Sequence, residues 1–262
     1  MTALDIGLIR AAFPGRRIDY YASIDSTMRA AAGLEAGSVV LAEEQTAGQG
    51  RLGRAWHSEA GAGIYCSLVL RPMPALTLAL GLAVQSAVFE AAGLMCDIRW
   101  PNDLLLGGKK VAGILVHGAE GKAICGIGIN VNHRAFPPEL ENVATSLSLA
   151  AHALYQGTVS DVPQEAVNDP GFSPCPHLRS TGILIAVLTS IDRFVELDKD
   201  EILRLFTQSS SYASGRRVTV EQPDGAIEGT TAGLDPSGFL IVRKDDGTDT
   251  LVLAGGVRAA GS

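Results

Sequence analysis

Apolar residues fall along this chain in two rhythms, short runs of strand length and longer stretches at helical spacing. Residues 5–12 predict a short helix and 18–22 a strand, and Asp25, Ser26 and Thr27 predict a cap opening a helix through about Leu34. Strands follow at Ser38–Glu43 and Ile64–Leu70. The nearly unbroken apolar stretch Ala75–Ala92, bounded by Pro74 and Gly93, predicts a buried helix. Beyond it come a strand at Asp97–Trp100, a turn at Pro101-Asn102-Asp103, and a hairpin in which Leu104–Leu106 and Lys109–His117 flank Gly107-Gly108. Ala123–Val131 predicts the strand that completes a sheet.

From Ala150 to Gly182, several prolines and glycines and few periodic apolar positions predict an irregular insertion. Leu184, Val187, Leu188, Ile191, Phe194 and Val195 then recur at helical spacing, and Asp198 with Glu201 forms a capping pair for a second helix to about Thr207. Past Tyr212 the rhythm changes to Val218–Val220, Ala226–Ala232, Phe239–Val242 and Thr250–Leu253, separated by Pro-, Asp- and Gly-rich turns. Short strands with tight turns in so short a span make a small barrel. Helices mixed with a sheet that contains a hairpin give the class α+β, with one unit over 1–212 and a second over 213–262.

Composition narrows the field. With 262 residues, 47% of them hydrophobic, the chain can bury a sizeable core. Its net charge of -7 opposes a surface built for nucleic acid, so any phosphate must be gripped locally. Cys66, Cys96, Cys125 and Cys175 form no C-x-x-C pair, and Asp5 interrupts what a signal peptide would need; a reduced cytoplasm is the expectation. Gln85, Ser86 and Glu90 interrupt the 75–92 stretch, so no membrane span is expected. His57, His117, His133, His152 and His177 show no metal-ligand spacing, Cys175-Pro176-His177 is too short to argue for zinc, and no metal site is predicted.

Three segments carry candidate chemistry. In Gln45-Thr46-Ala47-Gly48-Gln49-Gly50-Arg51-Leu52-Gly53-Arg54-Ala55-Trp56, glycines alternate with arginines, which predicts a mobile loop bringing positive charge and open amides to an anion. The others are Arg99-Trp100-Pro101-Asn102-Asp103 and Lys109-Lys110-Val111-Ala112-Gly113-Ile114-Leu115. Adjacent lysines on a strand point to opposite faces, so one alone can face a pocket.

In this order the segments resemble biotin protein ligase, also called biotin-[acetyl-CoA carboxylase] ligase. The likeness runs from about Tyr20 to Leu147 and resumes in the C-terminal fifty residues. It implies a mixed-sheet biotin/lipoate ligase-like catalytic domain and a C-terminal SH3-like barrel. The implied reaction activates biotin with MgATP as biotinyl-5'-AMP, then transfers it to a lysine of a biotin carboxyl carrier protein. Biotin, ATP and Mg2+ are thus the expected small molecules. The carrier is the expected partner, and a homodimer stays open. Members of the family with a DNA-binding domain carry it N-terminally; the two dozen residues before Ser26 are too few for one, so no DNA partner is expected.

The motif, lysine then a small apolar pair then Gly-Ile, selects Lys110, which with Arg51 is the candidate catalytic pair. Fixed cations suit a reaction that brings two anions together. For biotin, the candidates are Ser26, Thr27, Gln45, Gln49, Gly50, Arg51 and Lys110, with Gly113, Gly126 and Gly128 letting strands pass beneath the ligand. For ATP they are Arg51, Arg54, Trp56, Asn102, Asp103, Lys110 and Asn130. Blander readings stand beside these: Ser26 as a helix cap, Trp56 as a loop anchor, Asp103 capping its own turn, the glycines as packing positions. Met28 and Arg99 stand where the family usually has asparagine and lysine. Rival readings are a lipoate ligase or octanoyltransferase and a non-catalytic ligand-sensing protein.

Overall fold

The computed structural model describes residues 4–158, 179–222 and 225–260. Its elements are α1 (Ile6–Ala12), β1 (Ile18–Tyr21), α2 (Thr27–Ala31), β2 (Val39–Ala42), β3 (Gly63–Leu70), α3 (Leu76–Ala92), β4 (Asp97–Arg99), β5 (Asp103–Leu106), β6 (Lys109–Ala119) and β7 (Lys122–Asn130). After these come α4 (Leu147–Thr158), α5 (Ser180–Phe194), α6 (Lys199–Ser209), β8 (Ser214–Gln222), β9 (Gly225–Leu234), β10 (Leu240–Arg243), β11 (Asp249–Val252) and β12 (Gly256–Ala259).

The first seven strands form one sheet in the order β1-β2-β3-β7-β6-β5-β4. Only β1 and β2 run parallel; all the remaining neighbouring pairs are antiparallel. The α+β class expected from the hairpin therefore stands. One face of this sheet carries the main core, where Ile64, Leu68, Ile114 and Ile129 meet Leu80, Val84 and Val88 of α3 and Leu184, Val187 and Ile191 of α5. Pressed between the sheet and neighbouring helices, α3 buries almost its whole length, which is why its sequence is apolar on nearly every side. Among the described residues the opposite face carries α2 and a small cluster of Ala31, Val40, Val69 and Ile124. That thinly covered face is where the site lies.

The last five strands make a second, antiparallel sheet, β11-β10-β9-β8-β12. Its buried Val218, Val220, Leu240, Val242 and Val252 share a core with Leu78, Leu82, Trp100 and Phe206. The Trp100 indole donates to the Gly238 carbonyl at 3.0 Å and pins this sheet to the end of β4.

The irregular insertion expected over 150–182 is corrected at both ends, because α4 is helical through Thr158 and α5 begins at Ser180. Leu147 and Ala151, four apart on α4, are buried in the main core. Among the described side chains of α4 these two are the buried ones, too few to read as periodicity, and packing on a preformed layer is what holds such a helix. Residues 159–178 of that insertion lie outside the described residues.

Candidate active site

The floor of the site is two glycines facing each other across neighbouring strands. Gly113 of β6 pairs with Gly128 of β7, and Gly126 lies one alternation further along the same face. A Cβ at Gly128 would come within 2.6 Å of the Trp56 indole nitrogen, and one at Gly126 within 2.7 Å of Met28 Sδ. These glycines are therefore required by close approach: the strands pass under side chains that descend onto them. Their packing reading and their binding reading describe one arrangement.

Lys110 reaches this floor because β6 is irregular. Leu104 pairs with Ala112 but Leu105 pairs with Lys110, so Val111 is an extra residue on β6. Such a bulge resets the alternation and places Lys110 and Gly113, three apart, on one face. A Cβ at Gly113 would indeed meet Lys110 Nζ at 2.9 Å. The lysine Nζ stands 2.6 Å from Asp103 Oδ1 and 5.2 Å from the centroid of the Trp56 ring. Lys109, by contrast, points away and donates to the Glu141 carbonyl at 2.9 Å.

Asp103 also meets Arg99 Nη2 at 2.7 Å. Burial alone would raise its pKa, but the Lys110 and Arg99 charges together outweigh it and hold the carboxyl below its ordinary value. Asn102 is the hinge to the glycine loop. Its Nδ2 donates to the Ile114 carbonyl at 2.8 Å, and its Oδ1 accepts from Arg51 Nη1 at 2.8 Å. Arg51 is thus carried over the floor, where burial lowers its pKa and the Asp103 charge opposes that.

The loop itself is a small closed hairpin rather than an unstructured segment. Gly50 N donates to the Arg54 carbonyl at 2.7 Å and Trp56 N to the Gly48 carbonyl at 2.9 Å. Its tip turns through positive φ at Leu52 and Gly53, and Leu52 is 71% exposed. Gly48 admits the returning strand, since a Cβ there would lie 2.8 Å from the Trp56 carbonyl. Arg54 stands outside the cavity, 65% exposed and 3.9 Å from Glu221 of the second sheet. The structure does not bring it to Lys110.

On the side of α2, Thr27 Oγ1 lies 3.0 Å from Gln45 Oε1 and 2.8 Å from Ser67 Oγ, and Gln45 Nε2 donates to Ser58 Oγ at 3.2 Å. Ser26 occupies the N-cap position of α2, but its side chain makes no capping hydrogen bond. Its buried hydroxyl has no partner, and neither does Trp56 Nε1. Both border the cavity. Buried polar atoms without partners are costly, so these two favour a ligand over the cap and anchor readings.

The cavity brings together Ser26, Thr27, Gln45, Gln49, Gly50, Arg51, Trp56, Asn102, Lys110, Gly113, Gly126 and Gly128. Of the other expected residues, Asp103 adjoins it through Lys110. Asn130 is not among the lining residues; its amide donates to the Thr145 carbonyl at 3.0 Å. Sequence reasoning missed the apolar side chains of Leu115 and Met28 on this face; Cys66, Ile114 and Ile127 border the cavity only through their strands, their side chains lying in the main core on the other face. Cys66 and Ile127 are register partners on strands already recognised, a signal hidden only by not knowing which strands pair. Burial in the main core pushes the Cys66 thiol up to about 12, so it offers no nucleophile to the site. The open space is only about 40 Å³, against the roughly 300 Å³ or more of ligand pockets, because Trp56 and Met28 fill it.

Cations on a bulged strand and a glycine hairpin, set over a side-chain-free floor with apolar walls, can hold two anions and an apolar tail together. The chain is similar to known proteins in sequence and fold. Residues 17–133 match the biotin/lipoate A/B protein ligase family and residues 213–256 the biotin protein ligase C-terminal domain. The bifunctional ligase/repressor BirA of Bacillus subtilis is 44% identical over 255 residues, covering 89% of this chain and 71% of that protein. The biotin-[acetyl-CoA-carboxylase] ligase of Mycobacterium tuberculosis is 33% identical, covering 95% and 91%. The biotin protein ligase of Aquifex aeolicus, solved in complex with biotin and ATP, superposes with a TM-score of 0.71 at 28% identity, covering 93% of this chain and 99% of that one. Among the described residues no helix is long and apolar enough to cross a membrane. Sequence, fold and floor agree, and the chain belongs to the biotin/lipoate A/B protein ligase family.

Proposed function

We propose that this protein is a biotin-[acetyl-CoA-carboxylase] ligase: it joins biotin to ATP as biotinyl-5'-AMP with release of pyrophosphate, and passes the biotinyl group to a lysine of a biotin carboxyl carrier domain with release of AMP. The observation that carries this reading is the convergence of Lys110 and Arg51 over the Gly113–Gly128 floor. A carboxylate and the α-phosphate repel one another, and fixed cations offset both that repulsion and the charge of the in-line transition state.

In this reading the Met28 thioether and the Leu115 side chain receive the apolar valerate chain, while Ser26, Thr27 and Gln45 meet the ureido ring. Trp56 must leave the floor for the ligand to lie on it, and its unpartnered indole N–H and open ring face suit an adenine or a phosphate oxygen. Arg51, on its glycine hairpin, closes over the mixed anhydride and keeps water from it. The carboxylate beside Lys110 is already held by Lys110 and Arg99, so no protein cage for Mg2+ exists there and the ion enters on ATP as part of the substrate. Transfer runs directly from adenylate to carrier lysine, and no covalent enzyme intermediate is needed. DNA has no part in this reading.

The units 1–212 and 213–262 fit a division in which the first does the chemistry and the second closes over Arg54, supported by the Arg54–Glu221 approach. Pyrophosphate release that depends on biotin tests the assignment. Release driven equally well by lipoate or octanoate would favour the lipoate ligase reading, and none with any acid would favour a ligand sensor.

A further inference from the structure

A second cluster lies beyond Trp56, where the glycine hairpin rejoins the sheet. His57, Glu59 and His133 come from places far apart in sequence, yet each offers a ligand atom within 4.8 Å of the others. His133 is fully buried just past the end of β7, its ring stacked on Phe136 with centroids 5.1 Å apart. The expectation that these histidines are incidental rested on sequence spacing, which does not register that the fold brings His57 and His133 together.

The hydrogen bonds around Tyr65 fix the state of the His133 ring. Tyr65 Oη donates its single proton to the Glu59 carbonyl at 2.9 Å. At its 3.3 Å contact with His133 Nε2, the tyrosine oxygen therefore accepts, and the imidazole carries its proton on Nε2. Nδ1 is left as a bare lone pair, buried and without a partner. A neutral imidazole whose second nitrogen is tied to a hydroxyl is the form in which histidine binds metal.

We propose that His57, Glu59 and His133 form a divalent transition-metal site, with Zn2+ the best-fitting ion. Two imidazoles and one carboxylate match the donor preference of Zn2+, and Mg2+ or Ca2+ would demand an all-oxygen set. The exposed carboxylate of Glu59 leaves the fourth position to water. His57 and Glu59 follow directly on Trp56, whereas His133 belongs to the chain leaving β7. Bound metal therefore ties the base of the glycine hairpin to the sheet. Tyr65 is the positioning residue, acting through His133.

The test is equilibrium dialysis of the chelator-stripped full chain against ZnCl2, without nucleotide or biotin, for wild type and three variants. His57→Ala and Glu59→Gln alter side chains that are not part of the buried core, so folding should survive; Tyr65→Phe keeps the ring but loses the hydroxyl. Wild type should bind one Zn2+ per chain. His57→Ala and Glu59→Gln should each weaken binding by about 100-fold, and Tyr65→Phe by about 10-fold, as loss of an orienting partner does. Failure of wild type to take up stoichiometric Zn2+, or undiminished binding by folded His57→Ala, overturns the proposal. Either result leaves the ligase reading untouched, since the readout is metal and not turnover.

Discussion

Lys110 Nζ stands 2.6 Å from Asp103 Oδ1, and Arg99 grips the same carboxylate from its other oxygen. Two cations share one anion beside the Gly113–Gly128 floor, and Arg51 adds a third positive charge from the hairpin. The site is therefore electropositive within a chain whose net charge is -7. Asp103 keeps the lysine extended over the floor, and a substrate anion needs only to compete for the ammonium, not to order it.

Lys110→Ala should lower biotin-dependent pyrophosphate release by about 100- to 1,000-fold, the loss typical of removing one preorganised charge stabiliser. The fold should survive, because the backbone of Lys110 is held independently, its N–H by the Val143 carbonyl and its carbonyl by Thr145 N–H. Steady-state kinetics beside a circular dichroism spectrum check this; a folded variant with near wild-type release contradicts the assigned role.

Gly128→Val should raise KM for biotin by about 10-fold or more while the protein stays folded. The backbone at Gly128 has no left-handed φ, so a β-branched residue fits the strand, but its Cβ would stand 2.6 Å from the Trp56 indole nitrogen. Calorimetric titration with biotin measures the loss, and unchanged affinity would show that the floor is not the ligand bed.

Asn102→Ala should release Arg51 and strand the Ile114 carbonyl. Two consequences are expected together: a stability loss of about 1–3 kcal/mol in urea, and faster escape of biotinyl-5'-AMP from the enzyme. Arg51→Gly should reproduce the escape without the stability loss. If both variants retain the adenylate as wild type does, the arginine does not clamp it.

The Asp103 charge cluster also predicts the acid side of the stability profile. Its carboxyl titrates lower in the folded chain than the ordinary 3.8, so the unfolded state takes up the proton first as pH falls. The stabilisation it gives is complete above about pH 4 and is lost as pH drops through the folded value. The difference in urea midpoint between wild type and Asp103→Asn should accordingly be constant near neutrality and shrink below about pH 4. A gap that widens on acidification would have the sign wrong.

Much of this site is legible in the sequence because its residues are of types that structure alone seldom requires. Glycines within strands, arginines between glycines and a lysine behind a hairpin turn all announce themselves. The bulge at Val111 does not, since an extra residue on one strand is visible only against its partner, and it is the bulge that aims Lys110. Ser26 looks like a cap by type and position, and only the missing hydrogen bond shows its hydroxyl to be spare. The meeting of His57 with His133 depends on how the loop after the hairpin returns beside β7, which no local pattern encodes. Helix α4 was hidden because two buried residues anchor it.

The central claim is that this cavity makes an activated biotin and hands it to a carrier lysine. Mass spectrometry of a biotin carboxyl carrier domain incubated with the protein, biotin and MgATP tests it most directly. The account predicts that the carrier gains one biotinyl group on a single lysine, that the gain requires both biotin and ATP, and that it disappears with Lys110→Ala. A carrier that stays unmodified under wild-type enzyme, or that is modified equally by Lys110→Ala, would contradict it.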